Sequence, residues 1–173
     1  MESFVSLNLT NNIIKSKGVD VMYQQVEEYV KKFQKKYPSY QSEKLGFFSF
    51  EDTEKMADEL SELVVKKIKT GTSSGYDLYK QENEPLPKVG QLDVVLNGKN
   101  EPVCIIKNIN VTILPFSEVT KEHAWKEGEG DRTLVYWRKV HAEFFKHAYK
   151  EALNIEFTEE KLVVYEEFEV IFF

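Results

Sequence analysis

A single cysteine, Cys104, stands among 173 residues, so no intramolecular disulfide can form. The natural setting for such a chain is a reducing one, and we expect a cytoplasmic protein. No stretch approaches the roughly 18 consecutive apolar residues that a helical membrane span needs. Met1–Asn12 lacks the basic segment and apolar run of a secretory leader. Cations are outnumbered, 23 Lys and Arg against 29 Asp and Glu, for a net charge of −6. That balance argues against a broad, sequence-independent grip on a nucleic-acid backbone, and leaves room for a small ligand or a local basic pocket. Three histidines and one cysteine offer no zinc spacing, and no phosphate loop appears, so neither metal nor cofactor is expected. Eight glycines and five prolines are too few for a collagen-like or low-complexity chain. The length suits one domain with a core that needs no cross-links, with an N-terminal addition.

Apolar spacing then sets out the elements. Met22, Val26, Tyr29, Val30, Phe33 and Tyr37 form one stripe of a helix over Val21–Tyr37, stopped by Pro38, with Lys31, Lys32, Lys35 and Lys36 off the stripe. A second helix is expected over Thr53–Lys69, capped by Asp52 or Ser49, with Met56, Leu60, Leu63 and Val64 inward. Gln91–Leu96 reads as a short buried strand, and Asn97-Gly98 signals a tight hairpin after it. Pro102–Leu114 alternates as a strand with Val103, Ile105, Ile109, Val111 and Ile113 on one side, a row that Lys107 interrupts. Glu118–Lys126 fits a short helix stopped by Gly128. Arg132–Asn154 fits a long one, with Leu134, Trp137, His141, Phe144, Phe145 and Ala148 inward. Lys161–Phe173 closes the chain as a strand with Leu162, Val164, Phe168, Val170 and Phe172 on one side. Long strands, single helices and a central hairpin make the class α+β with a small mixed or barrel-like sheet.

Two stretches are too polar for ordinary core. Thr70-Gly71-Thr72-Ser73-Ser74-Gly75 is either a capped turn or the lining of a site. Glu127-Gly128-Glu129-Gly130-Asp131 is either a solvated turn or a set of ligands, and Asp131 also fits a helix cap. Lys69 reads as a helix-end cation. Trp137 and His141 read as core or as parts of the site.

These stretches, Pro115-Phe116-Ser117-Glu118-Val119-Thr120, His123-Ala124, Glu127–Asp131, Trp137, His141 and Phe144-Phe145, resemble the ASCH family, a branch of the PUA-like fold, over about residues 44–173. The resemblance implies a small, partly open β-barrel ringed by helices, here behind an N-terminal helical extension over residues 1–43. In the family's usual motif a Gly, any residue and a Lys are followed three residues later by an acidic or hydroxyl residue. Lys69 and Thr72 match it, while Lys67 stands at the Gly position and Ser74 where an Arg is often found. One bacterial relative is an N4-acetylcytidine amidohydrolase. By this resemblance its catalytic Lys, Thr and Glu fall on Lys69, Thr72 and Glu127, the last through the spacing His123-Ala124-Trp125-Lys126-Glu127. Other relatives are linked to RNA binding or RNA cleavage.

Amide hydrolysis at these positions would use Lys69 as a base with its charge disfavoured by burial. Thr72 would be nucleophile or water-orienting group, and Glu127 an acid whose proton affinity is raised by neighbouring acids. Backbone N–H groups of Thr72–Ser74 would face the oxyanion. Ser73, Ser74, Glu129, Asp131, Trp137 and His141 are the expected ligand-binding residues. The expected partner is a small nucleoside-like ligand or single-stranded RNA, with no membrane. The function read from the sequence is thus a nucleoside- or RNA-related protein, an amidohydrolase of N4-acylated cytidine or a non-catalytic RNA-binding module, with an RNA-cleaving enzyme as a third reading.

Overall fold

The computed structural model describes residues 17–50 and 53–173, with side chains from residue 20 onward. Residues 1–12, read above for a leader, and the Asp52 cap lie outside the described residues. Among the described residues, five α-helices and five β-strands follow in the order α1 Lys17–Lys36, β1 Gly46–Ser49, α2 Glu54–Val65, β2 Gly71–Gly75, α3 Tyr76–Gln81, β3 Leu92–Leu96, β4 Pro102–Pro115, α4 Lys121–Glu127, α5 Leu134–Leu153 and β5 Leu162–Phe172. The class is the expected α+β. The strands form one mixed sheet in the order β1-β3-β4-β5-β2. β1 runs parallel to β3, β3 antiparallel to β4, and β2 antiparallel to β5.

The chain forms two compact units. The first takes the chain up to Val65 with Gly90–Lys107 and Val170–Phe173. Its core joins Val26 and Phe33 of α1 to Leu45, Phe47, Leu92, Val94, Leu96 and Ile105. The lysines Lys31, Lys32, Lys35 and Lys36 are all exposed, as a helix with one apolar stripe requires. In α2 the buried positions are Ala57, Leu60, Ser61 and Val64. Met56 is 41% exposed rather than inward, because Ala57 takes its place on the stripe. Thr53, not Ser49, caps the helix: its Oγ1 accepts from the Met56 N–H at 3.3 Å, while Ser49 ends β1. The tight hairpin is instead a five-residue connection. The Asn97 Oδ1 accepts from the N–H groups of Lys99 and Glu101, both at 2.9 Å, and so builds a wider turn.

The second unit is Lys66–Val89 with Asn108–Glu169. α5 presents Trp137, His141, Phe145 and Tyr149 inward at a spacing of four. Trp137, Phe145 and Tyr149 join Leu78, Phe116, Phe157, Val163 and Tyr165 in the core. In this half of β4 the expected inner row is reversed. Ile109 and Ile113 are 50% and 44% exposed, and Asn108 and Leu114, of the opposite parity, are buried. Lys107 marks where the apolar row leaves the core. β5 buries Val163, Val164 and Tyr165 in succession, so over that stretch both faces are covered rather than one.

Candidate functional site

β2 is the first surprise of the second unit. Thr70–Gly75 is no turn: Gly71–Gly75 is a strand buried at every residue and laddered to β5, with Ser73 opposite Tyr165. Its hydroxyls have specific partners. The Ser73 Oγ donates to the Glu127 Oε1 at 2.6 Å. Ser74 and Tyr79 hydroxyls lie 2.7 Å apart. Successive side chains of a strand face opposite sides, so Thr72 and Ser74 face away from Ser73.

Lys69 lies four residues past the end of α2, in the approach to β2, and is 1% exposed. It is therefore no helix-end cation. The approach is pinned to α4, whose last residue is Glu127: the Thr70 N–H donates to the Lys126 carbonyl at 2.7 Å. α4 itself is capped by Thr120, whose Oγ1 accepts from the His123 N–H while its own N–H donates to His123 Nδ1. Gly128 ends it at φ +75°, and a Cβ there would lie 2.6 Å from the Ile68 carbonyl oxygen. Only glycine takes that conformation cheaply and allows the backbones to approach so closely.

Lys69, Ser73, Glu127, Glu129, Trp137 and His141 converge. The Lys69 Nζ donates to Glu129 Oε1 at 2.6 Å and to Glu127 Oε2 at 3.4 Å. Trp137 Nε1 donates to Glu127 Oε1 at 2.7 Å. His141 Nε2 lies 3.2 Å from Glu127 Oε2. Its Nδ1 is 3.0 Å from the Trp137 carbonyl oxygen, which can only accept, so Nδ1 carries a proton. Nε2 faces a carboxylate and carries one as well, which makes the ring an imidazolium. It stacks on the Trp137 indole with centroids 4.2 Å apart and planes 17° from parallel, a placement that favours a cation.

The electrostatics follow. Burial pushes the Glu127 carboxyl up, but the charges of His141 and Lys69, with hydrogen bonds from His141 and Ser73, outweigh it and hold Glu127 well below the usual carboxylate range. Burial pushes Lys69 down, but Glu129 and Glu127 outweigh it and raise its pKa above 10.5. His141 is likewise raised above 6.5, since its attraction to Glu127 exceeds the cost of burial. Two cations and two anions thus close on a neutral cluster. This corrects the expected chemistry on two counts. Glu127 is an ionised acceptor rather than a protonated acid, and Lys69 is an ammonium rather than a neutral base. Thr72–Ser74, whose N–H groups are expected at an oxyanion, lie on the edge strand of the sheet, where only alternate N–H groups face β5.

Three expected residues stand apart from the cluster. Thr72 is buried on the other face of β2, and Ser74 pairs with Tyr79. Asp131 is exposed, and its Oδ1 accepts from the Thr133 N–H at 2.9 Å and hydroxyl at 2.7 Å. Thr133 is the true cap of α5, accepting from the Tyr136 N–H. One pair falls outside the expected set. The Arg132 guanidinium lies 3.6 Å over the ring of Trp125, which is 56% exposed, and donates to the Trp125 carbonyl. No spacing rule marks it, since Arg132 reaches back only through its left-handed backbone at φ +62°. Among the described residues no group of His, Cys, Asp and Glu could hold a metal ion. No helix among them is long and apolar enough to cross a membrane.

The model of the ASCH domain family matches residues 46–172, and the chain belongs to that family, a PUA-like and generally RNA-associated one. A crystal structure of a protein from Enterococcus faecalis V583, assigned to the DUF984 family, is 35% identical, with a TM-score of 0.78 over 87% of this chain and 90% of that one. An ASCH domain from Lactobacillus crispatus JV V101 is 29% identical, with a TM-score of 0.72 over 96% of this chain and 100% of that one. No curated protein matches the sequence.

Proposed function

We propose that this chain is a binding module for a nucleobase, presented by a nucleoside or by single-stranded RNA, at the Glu129 and His141 edge of the cluster. Glu127 is its buried anchor. The observation that carries this reading is the saturation of Glu127. Its two oxygens take four side-chain donors, Ser73 and Trp137 on Oε1, Lys69 and His141 on Oε2. A general acid needs a proton to give and a general base must be poised to accept one. Four donors favour the ionised form of Glu127, and two carboxylates favour the ammonium form of Lys69. Fixed, fully satisfied charges suit recognition, because they hold the exposed groups in one geometry before the ligand arrives.

A second reading rests on one contact. Lys69 meets Glu127 across a separation of 58 residues, as the resemblance to an N4-acetylcytidine amidohydrolase requires. In it Lys69 and Glu127 would activate a water to cleave an N4-acylated cytidine, the ligand displacing Lys69 from its carboxylates, without Thr72, which faces the other side of β2.

Calorimetric titration with cytidine, N4-acetylcytidine and a short single-stranded RNA, alongside an assay for free acetate, separates the two. Binding with no acetate above buffer is the expected result. Acetate release abolished by Lys69→Ala would establish the hydrolase instead. Binding to none of the three would overturn both.

A further inference from the structure

The cluster presents one unfinished acceptor. Glu129 Oε1 is held by the Lys69 ammonium at 2.6 Å, and its side chain is 18% exposed while that of Lys69 is 1% exposed. Oε2 has no hydrogen-bond or ion-pair partner among the described residues. Behind it the charges already cancel: Lys69 and His141 against Glu127 and Glu129. A phosphate added beside Glu129 would meet a carboxylate whose charge the cluster already balances, so the edge suits a neutral group. A carboxylate oxygen only accepts, so that neutral group must donate.

Resting on the base-binding reading, we propose that Glu129 is the specificity-determining residue of the site and that it selects bases carrying an exocyclic amino group, cytosine, adenine or guanine, over uracil. An amino group places an N–H at the edge of the ring, where one oxygen can take it without crowding. Uracil offers carbonyl oxygens there. Its single N–H lies between two of them, and both repel an approaching carboxylate. Leaving Oε2 opposite a carbonyl would desolvate two acceptors with no bond gained, and an unmade bond to a charged group costs more than a made one returns. Lys69 fixes the Glu129 rotamer through Oε1, so the acceptor is aimed beforehand. The turn behind it is tied as well: the Glu129 backbone carbonyl accepts from the Arg132 N–H at 2.9 Å.

The test is a titration of the full chain with cytidine, adenosine, guanosine and uridine at one pH, repeated with Glu129→Gln. A Gln retains the shape, and it can turn its carbonyl or its amide outward. The wild-type chain is expected to bind the three amino-bearing nucleosides at least about tenfold more tightly than uridine. In Glu129→Gln the ratio is expected to fall below about threefold, chiefly through tighter uridine binding. Equal binding of all four by the wild-type chain would overturn the selection while leaving the base-binding reading intact, whatever the variant does. A variant that keeps the wild-type ratio would overturn the role of Glu129. Binding of none of the four would overturn the base-binding reading itself, and this inference with it.

Discussion

Lys69 and Glu127 lie 58 residues apart in the chain and 3.4 Å apart in the second unit, each with 1% of its side chain exposed. Neither charge is tolerable there alone. Each is present because the other is, and because Glu129 and His141 complete the count.

Removing the Glu127 charge while keeping its shape tests that dependence. In Glu127→Gln one amide edge can still accept from Ser73 and Trp137. The other would turn an NH2 toward the Lys69 ammonium and the His141 Nε2–H, donor against donor. Breaking a buried pair from one side leaves an uncompensated charge, so the expected loss is about 3 kcal/mol or more. Urea denaturation measures it, and a loss below about 1 kcal/mol would show that the contact contributes no more than an exposed pair.

The same contacts set a pH dependence. His141 is raised above its ordinary 6.5 in the folded chain. Its contribution is therefore complete below pH 6.5 and is lost as pH rises through the folded, raised value. Glu127 is depressed below 4.5. Its contribution is complete above pH 4.5 and is lost as pH falls through the folded, lowered value. Stability attributable to the pair should thus peak between the two ordinary values and fall on the alkaline side. The alkaline slope should shrink in His141→Asn. Melting temperatures across that range, for both chains, give the comparison.

Gly128 carries a burden out of proportion to its size. A side chain at φ +75° costs about 1–2 kcal/mol, and the Ile68 carbonyl stands where the Cβ would go. Gly128→Ala should lose about 2 kcal/mol or more in urea denaturation. It should also weaken nucleoside binding, because the shift parts the Lys69 backbone from the end of α4.

The two tryptophans report on different places. Trp137 is 2% exposed and Trp125 is 56% exposed. Trp125→Phe should leave only a blue-shifted emission that iodide hardly quenches. Arg132→Ala should increase quenching in the otherwise intact chain, since the guanidinium no longer covers one face of the Trp125 ring.

Helices were the readable part of this sequence. α1 and α5 carry apolar residues at every third or fourth position, and burial follows that stripe through Phe33 and Phe145. β2 was not readable as a strand, since Gly-Thr-Ser-Ser-Gly has no apolar alternation and one β-branched residue, Thr72, and only pairing with β5 makes it one. β4 misled for a related reason: alternation gives the period of a strand but not which face is covered, and Ile109 and Ile113 fall on the open one. At the site, the family resemblance supplied the residues and the surroundings supplied their charge states. Glu127 looked like one acid among several in a polar turn. Its ionised form depends on Lys69, 58 residues away in the chain, and on His141. Long-range partners of this kind leave no trace in local spacing.

The account turns on Glu127 being an ionised anchor flanked by an imidazolium, and the His141 ring reports it directly. Nitrogen-15 NMR of the ring at pH 6.5, assigned with His141→Asn, should show chiefly the doubly protonated ring, with titration above 6.5. A ring with one bare nitrogen at that pH, titrating at or below 6.5, would contradict it and return Glu127 to the role of a proton carrier.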